Sequence, residues 1–580
     1  MNRLFRKDQT ENIRWIFRVT KPWYGTILLL TLLSIVATLL SLWNAVCFRT
    51  MVDAAVAGDR ALFLSYVALT LMIAAMEILL SFLRESNSVR VYIRIRTALQ
   101  ERLFDTLLNK DFSHFSEKPI GDWISRVSAD TDGIAMLAAR VVPPTVGILV
   151  RLVGVTWLIF QVSPLFLPVM LLGFAFFIGL TILSREPMIE RQRESRNAQG
   201  ETRAYLTDAL SQMLVLKAFS HEKQIERKGA ALFETEYQKG VSRALITVYK
   251  TNAQSSGFKL GLLGIIMAGC FFLLDRRISY GTLMMCYRLL SQIRDPIISI
   301  GASLSNFYDN LVSAERLKEA ESYPEDPACP VKSDAEIGDL YRDWFSEIVF
   351  RDVTFSYQDR DAGALYTAPK VFSHVDLRIP GQSIIAFTGM TGSGKSTIFK
   401  LLMSLYPLDS GTKRILFKDG TEAELDAAYR RLFAYVPQGN QLMAGSIREV
   451  VAFSEKTEEQ DEERIREALR IACALDFVER LPKGLNTQIR EKGLGLSEGQ
   501  VQRLAIARAV YTGRPILLLD EATSSLDEKT ERDLLENLKT MTDRTILIVT
   551  HRPAALSMCD MEVRVNGGRF ISSELKNEAE

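Results

Sequence analysis

The chain has 580 residues, 70 Lys plus Arg against 69 Asp plus Glu, and a formal net charge of +1. A single core rarely grows past roughly 250–300 residues, so at least two domains are expected. The balanced charge speaks against a dedicated nucleic-acid binder, which carries a marked basic excess. The six cysteines (Cys47, Cys270, Cys286, Cys329, Cys473 and Cys559) stand in no metal-ligand spacing and indicate neither a zinc site nor a disulfide scaffold.

The N-terminal stretch places Ile13, Trp15, Ile16 and Phe17 among Arg14, Arg18 and Lys21, the pattern of an interfacial amphipathic helix over residues 1–22. Arg3, Arg6, Lys7, Arg14, Arg18 and Lys21 outweigh Asp8 and Glu11, which puts this end on the cytoplasmic side. Residues 22–48 and 152–184 then carry no charge. About 20 apolar residues cross the hydrocarbon of a bilayer, so the second run holds most of two crossings around Ser163-Pro164. The first run is too long for a secretory signal. Segment 61–83, interrupted only by Glu77, and two weaker segments complete the reading. Six spans are expected, at 23–48, 61–83, 136–162, 165–185, 251–274 and 279–305.

The loops alternate in length: 49–60, 163–164 and 275–278 are short, whereas 84–135 and 186–250 are long, polar and helical in pattern. With the N-terminus inside, the long pair is cytoplasmic. Arg276 and Arg277 fall outside, against the positive-inside trend. Glu77, Arg151, Lys259, Arg288, Arg294 and Asp295 sit within the spans. Charge at membrane depth either pairs inside the bundle or faces a wet translocation cavity. On one straight last span, Arg288 and Arg294 would be rotated by roughly 240° and could not share a direction. Arg294, the deeper, joins Glu77, Arg151 and Lys259 as the candidate substrate cavity.

Residues 321–345 contain three prolines and many charges and read as a linker. A β-type run, 383–388 (SIIAFT), leads into Gly389-Met390-Thr391-Gly392-Ser393-Gly394-Lys395-Ser396-Thr397. This fits G-x-x-x-x-G-K-[ST]. Backbone N–H groups close on phosphates, Lys395 reaches the β/γ-phosphates and the Ser396 hydroxyl can ligate Mg²⁺. The helix that follows turns its N-terminus to the anion. A second run, 516–519 (ILLL), ends in Asp520-Glu521, and an acidic pair there suits a parallel α/β sheet. Asp520 would support Mg²⁺, and Glu521 would polarise the attacking water. A third, 546–550 (ILIVT), ends at His551, within reach of a γ-phosphate.

These residues resemble an ABC transporter. Leu496-Ser497-Glu498-Gly499-Gln500 resembles the signature, and VQRLAIARA follows it. Tyr357 in VTFSY is similar to the aromatic residue that stacks on adenine; Tyr366 is its competitor. Gln438 in YVPQ resembles the Q-loop glutamine, which joins Mg²⁺ to the membrane domain. Ser525-Leu526-Asp527 resembles the D-loop, and 487–493 (TQIREKG) the X-loop of exporters. In the first half, 119–132 and 206–222 resemble the two cytoplasmic coupling loops of the exporter-type six-span domain. One departure stands out: Glu498 replaces the second signature glycine, while Ser497 and Gly499, the usual γ-phosphate contacts, are present.

The fold implied is a multidomain chain, a six-helix α-helical transmembrane domain (23–320) followed by an α/β P-loop ATPase domain (346–580). No N-terminal peptidase domain is expected. The resemblance implies a half-transporter that exports a peptide, lipid or amphipathic small molecule by alternating access, with ATP and Mg²⁺ as cofactors. It also implies a second half-transporter as partner, because the signature of one subunit completes the ATP site of the other. A homodimer is feasible, since one chain carries Glu521, His551, Lys395 and a near-complete signature; a degenerate second subunit is the alternative. An importer built on the exporter fold is the closer rival, and a soluble ABC ATPase acting on nucleic acid the more distant one. The location implied is a bacterial cytoplasmic membrane, with the ATPase domain in the cytoplasm. The basic excess within the spans favours an anionic or peptide-like substrate over a cationic one.

Overall fold

The computed structural model describes residues 7–162, 179, 185–326, 332–357, 370–439, 442–453, 461–490 and 495–574. The chain forms two compact units, 1–104 with 124–321 and 105–123 with 322–580.

In the first unit, four helices among the described residues are long and apolar enough to cross a membrane: Thr10–Ala57, Arg60–Leu108, Ile120–Gln161 and Glu222–Leu274. The spans expected at 23–48, 61–83 and 251–274 fall within them, and that at 136–162 does so but for its last residue. The span expected at 165–185 lies outside the described residues except at 179 and 185. The helix Arg60–Leu108 has 49 residues, so at about 1.5 Å per residue it far exceeds the roughly 30 Å of hydrocarbon. The polar stretches 84–108 and 222–250 are therefore continuations of membrane helices, which is why their pattern is helical despite their polarity.

Two expectations change. The last span was expected as one helix over 279–305. It is instead broken into Tyr280–Ser291 and Arg294–Ser322. Pro296 has no N–H to give residue 292 and its ring crowds that carbonyl, so the second helix begins just before it. The 240° relation between Arg288 and Arg294 does not hold across this break. The N-terminal helix Lys7–Thr20 is present, but its apolar face is covered by protein. Trp15, Ile16 and Val19 are buried, Trp15 Nε1 donates to Glu321 at 2.8 Å and Asn12 Nδ2 to the Leu311 carbonyl at 3.4 Å. Arg14, Phe17 and Arg18 remain exposed.

The second unit has two large sheets, besides a short pairing of Gly445–Ser446 with Gln488–Ile489. Strands β1 (Phe345–Ser356), β2 (Lys370–Pro380), β4 (Ser410–Phe417) and β5 (Glu422–Glu424) form an antiparallel sheet in the order β2-β1-β4-β5. Strands β3 (Ile384–Thr388), β6 (Phe433–Val436), β7 (Ile516–Asp520), β8 (Thr545–Val549), β9 (Met561–Asn566) and β10 (Arg569–Glu574) form the main sheet. Its order is β10-β9-β3-β8-β7-β6, parallel except for the hairpin β9–β10. Every residue of β7 and β8 is buried, as a parallel sheet covered on both faces requires.

Segment 105–123 groups with this unit, although the sequence assigns all of 23–320 to the membrane domain. Lys110 forms a β-bridge with Glu325, the Ser116 hydroxyl lies 2.9 Å from the Tyr406 hydroxyl, and Phe112 meets the Tyr406 ring edge-on at 5.8 Å.

Candidate active site

The main sheet decides where chemistry can occur. The P-loop follows β3, Gln438 follows β6, Asp520 ends β7 and His551 follows β8, so all four lie at the carboxyl ends of parallel strands.

In the P-loop, Gly389, Gly392 and Gly394 all have positive φ. Gly394 shows the need: at φ +102° a Cβ would also lie 2.8 Å from Phe372 and Val371. The helix Lys395–Leu402 starts immediately after it. Lys395 is buried, and its Nζ donates to the carbonyls of Gly389 and Met390 at 2.7 and 3.0 Å, which holds the ammonium inside the loop. Ser396 Oγ donates to Asp520 Oδ1 at 2.8 Å, and Tyr435 OH donates to Asp520 Oδ2 at 3.1 Å. Burial raises the pKa of Asp520, and those two donors oppose the shift. Burial, then the charge of Asp520, push the Tyr435 phenol up, so it stays a donor. Gln438 Nε2 donates to Glu521 Oε2 at 2.6 Å. Glu521 itself sits at φ +51°, a left-handed conformation uncommon for this residue type and a frequent mark of functional positions.

Tyr357 OH lies 3.0 Å from Thr397 Oγ1, which ties the ring to the helix Lys395–Leu402. Its edge contacts are Phe355 at 5.0 Å and Tyr406 at 5.2 Å, and Lys400 Nζ lies 5.6 Å from its ring centre. Tyr366 lies outside the described residues, as do residues 491–493 of the X-loop phrase. His551 is exposed just past the carboxyl end of β8.

A second group is held by other elements. Ser497 is the N-cap of the helix Glu498–Tyr511, in a reciprocal capping box with Gln500. Glu498 is exposed in the first helical turn. A Cβ on Gly499 would lie 2.9 Å from the Ser525 carbonyl, so the absent side chain lets this helix rest on the D-loop. Gln502 completes the contact, donating to the Ser524 and Ser525 hydroxyls and accepting from Ser525 N–H. Asp527 caps the helix Glu528–Lys539, where the Thr530 hydroxyl and N–H lower its pKa. Among the described residues, no hydrogen bond or ion pair joins Ser497, Gly499 or Gln500 to residues 389–397.

Sequence reading missed Tyr435, Gln502, Arg552 and Glu531. Arg552 donates to the Ser524 and Leu526 carbonyls and to the fully buried Glu531 at 2.7 Å, so it fixes the D-loop. Tyr435 and Arg552 adjoin residues the motifs do single out, but nothing in the chain pairs them with partners 21–85 positions away.

The membrane charges form no single cluster. Glu77 Oε1 accepts from Asn44 at 3.5 Å, Arg288 lies over the Phe48 ring at 5.0 Å, and Arg294 Nη2 donates to Ser255 Oγ at 2.6 Å. Lys259 is exposed and Arg151 half-buried. No ion pair joins any two of the six among the described residues.

A P-loop beside a buried carboxylate and an adjacent glutamate, on a chain that also builds long apolar helices, defines a membrane-bound P-loop ATPase. Comparison with known proteins gives the family. The family model for the ABC transporter transmembrane region matches residues 27–297, and that for the ABC transporter matches residues 372–524. The chain is 28% identical over 578 residues to a multidrug resistance ABC transporter ATP-binding and permease protein of Lactococcus lactis, covering 97% of this chain and 92% of that one. It is 27% identical over 542 residues to the cyclolysin secretion/processing ATP-binding protein CyaB of Bordetella pertussis, covering 93% and 73%. Its fold is similar to that of a bacterial Atm1-family ABC exporter solved with ATP bound, with a TM-score of 0.78, 22% identity and 96% of each chain covered. The chain belongs to the ABC transporter family: it is an integral membrane protein of the exporter type, with fused membrane and ATPase domains, that couples ATP hydrolysis to transport.

Two outcomes follow from this geometry. Glu521→Gln keeps the phosphate contacts but loses the carboxylate; ATPase activity should fall by about 100-fold or more, with ATP affinity within a few-fold of wild type. Lys395→Ala should instead weaken ATP binding about tenfold or more. A Glu521→Gln enzyme turning over at the wild-type rate would overturn the catalytic role. For the D-loop support, Glu531→Gln should destabilise the ATPase unit by about 2–3 kcal/mol, seen as a lower midpoint in thermal unfolding.

Proposed function

We propose that two copies of this chain close two ATP molecules between the P-loop of one and the signature of the other, and that this closure drives export. The observation that carries the reading is the division of the site into two groups held by separate elements. The P-loop group binds and positions phosphate; the signature helix presents first-turn N–H groups and Ser497 to a phosphate arriving from outside. Catalysis is by positioning and charge stabilisation, with Glu521 orienting water and His551 at the γ-phosphate. Tyr357 stacks on adenine. Ser396, Asp520 and Gln438 offer the hard oxygen donors that suit Mg²⁺, which supplies charge neutralisation of the phosphates when bound. Met213, Leu214, Val215 and Phe219 in the second cytoplasmic loop are exposed, Leu214 by 83%, an apolar tip that a partner chain would cover. We place the protein in a bacterial cytoplasmic membrane with the ATPase unit inside.

For the substrate, we propose an anionic or peptide-like amphipathic molecule contacted by Arg294, with Glu77, Arg151 and Lys259 lining its path. Arg294 Nε is buried without a hydrogen-bond partner among the described residues, although Nη2 is engaged by Ser255. A guanidinium left part-satisfied at membrane depth favours an incoming anion.

Arg294→Ala should lower substrate-stimulated ATPase while basal ATPase stays near wild type. Loss of both would make it a structural residue, and normal transport would remove it from the path. Glu498→Gly should change ATPase by about threefold at most, because the neighbouring N–H groups still donate. A rise of about a hundredfold or more would mark this signature as degenerate and point to a heterodimer.

A further inference from the structure

The phosphate-binding helix Lys395–Leu402 has a second functional end. Its last carbonyls lack partners within the helix, as at any helix C-terminus. Residues 403–405 return N–H groups to some of them, and two cations take the Leu401 carbonyl and the carbonyls of Met403 and Ser404 that directly follow the helix. Lys413 Nζ donates to the Leu401 carbonyl at 2.8 Å and to Ser404 Oγ at 2.7 Å. Arg430 donates from Nε to the Met403 carbonyl and from Nη2 to the Ser404 carbonyl, both at 2.9 Å. Cations at this end also suit the helix dipole.

Arg430 does more than cap. The same guanidinium grips Asp326 through both terminal nitrogens, Nη2 at 2.8 Å from Oδ1 and Nη1 on Oδ2. A planar fork of donors can hold carbonyls on one edge and a carboxylate on another, which an ammonium cannot. Asp326 lies just past Ser322, the last residue of the long helix Arg294–Ser322. Its N–H donates to the Asn109 carbonyl at 2.9 Å, and Asp111 N–H donates to the Pro324 carbonyl at 3.1 Å, flanking the Lys110–Glu325 bridge. Asn109 in turn directly follows the helix Arg60–Leu108. One side chain thus fastens the base of the phosphate-binding helix to a two-stranded clip made from the segments that continue two membrane helices.

We infer that Arg430 is a positioning residue that transmits seating of the P-loop helix, through Asp326 and the clip, to the helices ending at Leu108 and Ser322. The inference rests on the assignment of residues 389–397 as the ATP site. It differs from a purely structural cap in requiring the bond to Asp326, which the P-loop itself does not need. Asp326→Asn keeps the size of the side chain and weakens that bond, and Arg430→Lys keeps the charge but not the fork.

The test is peptide-resolved hydrogen exchange on the full chain in lipid nanodiscs, with and without magnesium AMP-PNP. In wild type the nucleotide should slow exchange in 389–402 and in 105–123. In Asp326→Asn, protection of 389–402 should stay within about twofold of wild type while nucleotide-dependent protection of 105–123 falls about fivefold or more. Protection retained in both segments overturns the inference; loss in both shows that Arg430 and Asp326 only hold the fold, and also overturns it. If Asp326→Asn does not fold, Arg430→Lys is read by the same criteria, and failure of both variants to fold counts against the inference. Absence of 389–402 protection in wild type would instead refute the ATP-site assignment.

Discussion

A carboxylate at the end of a wholly apolar strand must be compensated, and the ATPase unit is organised around that of Asp520. It is 1% exposed, and water cannot solvate it. Ser396 and Tyr435 supply the missing hydrogen bonds from two different elements, the start of the phosphate-binding helix and strand β6. The register of three parallel strands therefore sets where the P-loop helix begins. From that start follow the position of Lys395 and the approach of Tyr357 through Thr397, while the direct pairing of β6 with β7 brings Gln438 to Glu521. A strand order that places β7 between β8 and β6 is what brings these sequence-distant residues to one edge.

The signature and D-loop obey a separate constraint. Gly499 must lack a side chain for its helix to reach the D-loop backbone, Gln502 joins the two, and Arg552 anchors the D-loop to buried Glu531. The group is rigid in itself and shares no hydrogen bond with the P-loop among the described residues. Within the chain this group adjoins the end of β7, because the Ser524 N–H donates to the Glu521 carbonyl at 3.2 Å.

Much of this was legible because it is local. The P-loop, the all-apolar strands ending in Asp520-Glu521 and before His551, and the uncharged run at 22–48 each declare themselves within one short stretch of sequence. What was not legible depends on tertiary partners. The apolar face of Lys7–Thr20 reads equally well as lipid-facing or protein-facing until Glu321 is seen beside Trp15. The break before Arg294 was signalled by Pro296 but lost in an apolar pattern that looked continuous. Arg430 and Asp326 are 104 positions apart, and no spacing rule joins them. The left-handed backbone of Glu521 leaves no trace in composition.

The proposal of an ATP site completed by a second chain is tested most directly by site-directed cross-linking. Thr391→Cys and Ser497→Cys are combined in one chain and oxidised with and without magnesium AMP-PNP; a disulfide forms only where Cα atoms come within about 7 Å. Covalent dimer that requires both cysteines and accumulates only with nucleotide is the predicted result. A nucleotide-dependent bond confined within single chains, or none above the single-cysteine controls, would contradict it.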